Sequence, residues 1–194
     1  VKSKGFEPVA GSDARVLILG SLPGRVSLER GEYYAQPRNA FWPIMGELFG
    51  ASPGLRYNDR LCLLKKQGVA LWDVCAAGER LGSLDSAILL SSVEANDISE
   101  FLRTHVGIAL VCFNGKKAKE IYDQKVVLQP PALLERICIE VLPSTSPAHA
   151  AMSYEQKLPR WRLVLGKGAF RWHRNHTAPM MHVENHPCPN GGPS

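Results

Sequence analysis

The chain has 194 residues, 45% of them hydrophobic, and a formal charge of +5 at pH 7. That length suits one compact domain with a substantial core and is short for two. No apolar run approaches a bilayer-spanning helix, and residues 1–11 carry charges rather than a signal-peptide core, so a soluble, intracellular protein of cytoplasm or nucleoid is expected, with no membrane partner.

A positive balance suits a polyanionic partner. However, Lys167, Arg171 and Arg174 against Glu184 place +2 of that charge beyond residue 166, so charge alone is only a hint. Cys62, Cys75, Cys112, Cys138 and Cys188 are scattered with no C-x-x-C pair, which reads as reduced thiols; neither a metal nor another cofactor is expected.

In chain order, residues 15–20 (Arg-Val-Leu-Ile-Leu-Gly) read as a first buried strand, followed by a long loop. Phe41, Trp42, Ile44, Met45, Leu48 and Phe49 then fall on one side of a helix ending at Gly50. Leu61, Leu64 and a closing Gly68 give a second helix, and residues 69–74 a second strand. A helix over 98–105 behind the cap Asp97, a strand over 108–113, a helix over 116–122 and a strand over 137–142 follow. Ser153 opens the last helix, with Gln156 placed to complete a capping box. Pro159 lies inside that helix, where it deletes a backbone hydrogen bond at about 3 kcal/mol unless the helix kinks, and the sequence offers no reason for it.

This alternation predicts a three-layer α/β/α sandwich around a central, mainly parallel four-stranded sheet. Residues 1–167 are expected to form the domain. Residues 168–194 lose periodicity and are expected to be a disordered tail. Four of the six histidines (His173, His176, His182, His186) lie there beside Cys188, but their spacing fits no familiar zinc pattern.

In open α/β sheets ligands bind beyond the carboxyl ends of the strands, which selects the loops 21–39, 75–86, 114–117 and 143–150. The first begins Gly20-Ser21-Leu22-Pro23-Gly24, a tight turn whose glycine spacing is neither a P-loop nor a dinucleotide fingerprint. Tyr33 and Tyr34 fall in this loop; one of them offers a flat face to a base, or both pack over the sheet edge. Asn39, before an apolar-periodic segment, reads locally as a helix N-cap, and Asn114-Gly115 as a turn at a strand end. Ser144, Thr145 and Ser146 before Pro147 are an ordinary Ser/Thr turn, or a grip for phosphates. Lys116 and Lys117 stand at a helix start, where the dipole disfavours cations unless phosphate lies nearby.

Four segments in order resemble the uracil-DNA glycosylase superfamily, and within it the hypoxanthine-DNA (DNA-deoxyinosine) glycosylase family, related to the mismatch-uracil and thymine-DNA glycosylases. They are Gly20-Ser21-Leu22-Pro23-Gly24 with Tyr33-Tyr34-Ala35-Gln36-Pro37-Arg38-Asn39-Ala40-Phe41-Trp42; Ala70 to Val74 with Arg80 to Ser86; Phe113-Asn114-Gly115-Lys116; and Leu142-Pro143-Ser144-Thr145-Ser146-Pro147-Ala148. The resemblance runs from about Phe6 to Leu165.

What the resemblance implies is a monofunctional enzyme that hydrolyses the N-glycosidic bond of a deaminated base flipped from double- or single-stranded DNA, acting as a monomer in base excision repair. Most of the superfamily places a water-holding Asn or Asp where this chain has Leu22; the resemblance assigns that role to Asn39. It makes Asn114 the reader of the base, with Tyr34 and Leu22 shaping its pocket. The Gly20, Ser21, Pro23 and Gly24 turn lies alongside, and Ser144, Ser146, His149 and Lys116 are the expected contacts to DNA. His149 stands where the family usually has asparagine. Adenine presents the opposite donor and acceptor order to hypoxanthine, so rejecting it needs neighbours that stop the Asn114 amide flipping, and the sequence does not identify them. Alternatives are a uracil-preferring glycosylase, a DNA-binding relative with impaired catalysis, and a nucleoside-processing enzyme.

Overall fold

Three short runs of buried residues and a fourth strand exposed along most of its length form the central sheet. The computed structural model describes residues 2–81, 87–126 and 135–166. Within them the chain runs β1 (Lys2–Lys4), β2 (Val16–Gly20), α1 (Arg25–Arg30), α2 (Phe41–Phe49), α3 (Tyr57–Lys66), β3 (Val69–Asp73), β4 (Cys75–Glu79), β5 (Glu94–Ala95), α4 (Ile98–Thr104), β6 (Leu110–Asn114), α5 (Lys116–Lys125), β7 (Cys138–Leu142) and α6 (Tyr154–Leu165). The main sheet has the order β3-β2-β6-β7, and every pairing in it is parallel.

Because successive strand residues face opposite ways, the buried strands feed two separate cores. Leu17, Leu19, Ala70, Trp72, Val111 and Phe113 face one side and pack with Ile98, Phe101 and Leu102 of α4 and Ala118, Ile121 and Tyr122 of α5. Val16, Ile18, Val69, Leu71, Leu110 and Cys112 face the other, beneath Phe41, Trp42, Ile44 and Met45 of α2, Leu64 of α3 and Trp161 and Leu165 of α6. The three layers and the four-stranded parallel sheet agree with the sequence reading.

Three features were not legible in advance. The first loop contains the six-residue helix α1. A second, antiparallel sheet of order β1-β4-β5 lies beside the first, its strands too short and too polar to carry a periodic signal. Finally, α6 continues through Pro159, which lies on the exposed side while Lys157, Trp161 and Leu165 face inward. Burial of that inner stripe offsets the missing hydrogen bond. The expected tail, its histidines and Cys188 lie outside the described residues, as do residues 82–86 of the second resembling segment. Of the four described cysteines, Cys75 and Cys112 are buried, Cys62 is half-buried and Cys138 is exposed. Among the described residues no helix is long and apolar enough to cross a membrane.

Several turns follow the local rules. Asp97 accepts from the Glu100 N–H at 2.9 Å as cap of α4, and Gln156 Oε1 accepts from the Ser153 N–H at 2.9 Å at the start of α6. Trp161, fully buried, donates its indole N–H to the Pro143 carbonyl at 3.0 Å and so ties α6 to the loop after β7. Trp161→Ala is therefore expected to cost about 3–5 kcal/mol, read as a lowered midpoint in denaturant unfolding.

Candidate active site

The strand register decides the floor of the site. Gly20 of β2 pairs with Asp73 of β3, and Leu19 pairs with Phe113 of β6, so Asn114 follows on the other side of Gly20. All three have the parity of the residues under α2 and α6. At the carboxyl end of the sheet one row therefore reads Asp73, Gly20, Asn114, with no side chain in the middle. A Cβ on Gly20 would land on Asp73 Oδ1 and come within 3.2 Å of the Tyr34 hydroxyl.

Above this row lies a crevice of about 460 Å³, lined from three loops. The turn after β2 contributes Ser21, Leu22, Pro23 and Gly24, and its continuation contributes Tyr34 and Asn39. The loop after β7 brings Ser144, Thr145 and Ser146, opposite the first. Of the expected site residues, Gly20, Ser21, Leu22, Pro23, Gly24, Tyr34, Asn39, Asn114, Ser144 and Ser146 thus meet around one cavity. Lys116 and His149 do not line it. Lys116 is exposed in the first turn of α5, and the His149 carbonyl accepts from the buried Lys157 ammonium at 3.1 Å, which secures the end of that loop.

Thr145, 1% exposed, is the hinge pin of the site. Its backbone N–H donates to Asn114 Oδ1 and its Oγ1 accepts from Asn114 Nδ2, both at 2.8 Å, while its carbonyl accepts from the Ala40 N–H at 3.0 Å. One buried residue thereby orients the Asn114 amide and anchors the start of α2. Gly115 permits the approach: its φ of 99° favours glycine, and a Cβ there would meet Ser144 Cβ at 2.8 Å.

The two tyrosines divide. Tyr33 is core, its hydroxyl donating to the Glu7 carbonyl at 3.1 Å; burial, then the nearby Asp73 charge, hold it protonated far above the usual tyrosine range. Tyr34 is half-buried and lines the crevice, with one ring face stacked on Phe41 at 3.8 Å between centroids. Its φ of 56° is unusual for a bulky residue, and such strain concentrates at functional sites.

Asn39 is half-buried, and its Oδ1 accepts from the Phe41 N–H at 2.9 Å. The helix cap read from the sequence is thus present, displaced by one position because Ala40 occupies the N-cap. The Ser/Thr turn is present too: Ser144 Oγ accepts from the Ser146 N–H, and Ser146 Oγ from the Ala148 N–H, each at 3.2 Å.

Sequence reading gave no role to Asp73, Thr145, Arg25, Arg38 or Arg80, all of which line the crevice. Arg80 braces the first turn, donating to the Leu22 and Pro23 carbonyls at 2.7 and 3.3 Å. The missed signal for Asp73 was a carboxylate closing an apolar strand at the ligand-binding end of the sheet. Nothing local marks Thr145.

Residues 8–167 match the sequence family described as the Uracil DNA glycosylase superfamily. The chain is 38% identical over 137 residues to a protein of Methanosarcina barkeri (strain Fusaro / DSM 804) named hypoxanthine DNA glycosylase, covering 66% of this chain and 85% of that one. It is 37% identical over 164 residues to a protein of the same name from Methanosarcina acetivorans, covering 83% and 96%. A solution NMR structure from Methanosarcina acetivorans, described as a uracil DNA glycosylase, superposes with a TM-score of 0.70 at 35% identity, covering 85% of this chain and 97% of that one. The chain belongs to the uracil DNA glycosylase superfamily.

Because the Asn39 side chain caps α2, Asn39→Ala is expected to lower stability by about 1 kcal/mol, while Asn39→Ser, which restores a capping oxygen, costs only a few tenths. Denaturant unfolding of both variants measures the cap separately from any role in chemistry.

Proposed function

We propose that the crevice hydrolyses the N-glycosidic bond of deaminated bases in DNA, hypoxanthine foremost, after the nucleotide has flipped out of the stack. The observation that carries this reading is the fixed Asn114 amide. A backbone N–H can only donate, so the oxygen must face Thr145 N, and Nδ2 then faces the hydroxyl. Turning the amide over would set N–H against N–H at Thr145 and forfeit a buried hydrogen bond worth about 1 kcal/mol, with a further desolvation cost, although the hydroxyl could turn to donate. What remains is one lone pair on Oδ1 beside one N–H on Nδ2. That pair matches N1–H and O6 of hypoxanthine, and equally N3–H and O4 of uracil. Adenine offers the reverse order. Thr145 is thus the neighbour that the discrimination requires, and the names of the Methanosarcina relatives favour the purine.

In this reading Tyr34 lends its ring to the base and Leu22 shapes the pocket wall. Asn39 holds the attacking water through the second lone pair of Oδ1 and its amide N–H groups, while its bond to Phe41 keeps the side chain in place. The positive charge developing on the sugar is met by these oriented dipoles. Arg25 and Arg38, exposed at the crevice, and the Ser144 and Ser146 hydroxyls take backbone phosphates; Lys116 and His149 contact the flanking strand as the protein acts as a monomer. Among the described residues lining the crevice there is no lysine, so water rather than an amine is the nucleophile and the enzyme is monofunctional.

On matched oligonucleotides, inosine is expected to be cut fastest, xanthosine and uracil more slowly, and adenosine or free inosine not at all. Rapid uracil excision with slow inosine excision would reverse the preference and keep the superfamily. Asn39→Ala and Asn39→Ser should bind inosine DNA normally yet cut it about 100-fold more slowly or worse in single-turnover assays. Asn114→Ala should instead erode the preference among bases.

A further inference from the structure

The hydrolysis leaves one chemical need unmet by Asn39. As the water oxygen bonds to the sugar carbon it must release a proton, and an amide is too weak a base to take it. Among the described residues that line the crevice there is no histidine, lysine, glutamate or cysteine, and Asp73 is the one carboxylate.

Asp73 is 3% exposed and stands at the carboxyl end of β3, in the floor row with Gly20 and Asn114. Its backbone is held on both sides: its carbonyl accepts from Asn96 Nδ2 at 2.8 Å, and the next N–H, of Val74, donates to the Gly20 carbonyl at 2.9 Å. Its side chain reaches over Gly20, in space that any larger residue there would occupy, close to the Tyr34 hydroxyl. Burying a carboxylate costs several kcal/mol before compensation, and a merely structural end to a buried strand would more cheaply be apolar. Its charge is also felt by the neighbouring Tyr33 and Tyr57 hydroxyls, both of which it helps keep protonated.

We propose that Asp73 is a second catalytic residue of this site, the general base that works with Asn39. This rests on the glycosylase reading of the crevice. Asn39 orients the water; the water oxygen forms the bond to C1′ as the C1′–N9 bond breaks and its electron pair leaves with the base. The released proton passes to the Asp73 carboxylate, and from there to solvent, while the departing base anion takes a proton in turn. Before that transfer, the carboxylate's negative charge also stabilises the oxocarbenium character of the sugar. The buried site keeps this charge effective, because little water intervenes to screen it.

The test is single-turnover cleavage of an inosine duplex by the full chain across pH, for wild type and Asp73→Asn. The wild-type rate should fall as acid protonates the carboxylate. Asp73→Asn should bind the duplex with wild-type affinity, cut it about 100-fold more slowly or worse, and lack the acid limb. Asp73→Ala should recover part of its rate with added formate, which a purely structural role would not allow. An Asp73→Asn variant that cuts at the wild-type rate or keeps the acid limb overturns the assignment, as does a wild-type profile with no acid limb. Wild-type protein that leaves both inosine and uracil duplexes intact overturns the glycosylase reading itself, and this assignment with it.

Discussion

The site depends on one absence: the missing side chain at Gly20, in the middle of three adjacent strand ends. In a parallel sheet buried on both faces, every residue of a central strand ordinarily fills space between its neighbours. Here the central position of the row carries no side chain, Asp73 and Asn114 stand on either side of it, and the Asp73 carboxylate and Tyr34 hydroxyl reach into the gap. Any substituent at position 20 would meet the Asp73 carboxylate and crowd the Tyr34 hydroxyl, so the glycine, the acid and the ring are one packing decision.

Thr145 turns that gap into a directional site. This buried residue uses its N–H, its carbonyl and its hydroxyl: two of the bonds hold the Asn114 amide and the third holds the start of α2. The consequence is that the loop after β7, the end of β6 and the start of α2 cannot move independently. An amide held in this way is already oriented and has little rotational freedom left to lose on contact with a ligand. Gly115 makes the arrangement sterically feasible by letting the Ser144 backbone come close.

Local structure and chemistry share residues here instead of competing for them. Asn39 caps a helix and faces the cavity, and Ser144 and Ser146 close their own turns while lining it. Such double use is physically economical: a side chain with one polar atom bonded to its own backbone has few rotamers left, so its remaining polar capacity points in a defined direction. A structural role and a place in the crevice wall are therefore compatible for these residues.

The sequence by itself determined the two periods and the punctuation. Apolar strand runs, the helical spacing from Phe41 to Phe49, the caps at Asp97 and Ser153 and the glycines closing α2 and α3 are local facts, set within a few residues of one another. It also determined which loops carry the distinctive residues, because strand ends are readable from where the apolar runs stop. Only the tertiary structure decided which residues of those runs stand side by side. Placing Asp73 across from Gly20 requires the register of two strands separated by three helices, and joining Asn114 to Thr145 requires the crossover from β6 to β7. The same holds for the division between Tyr33 and Tyr34: adjacent, identical in type and equally aromatic, they part company because Tyr33 is buried against Phe6 and bonded to the Glu7 carbonyl, while Tyr34 is half-buried and stacks on Phe41. Those are long-range steric outcomes, and no window of local sequence contains them.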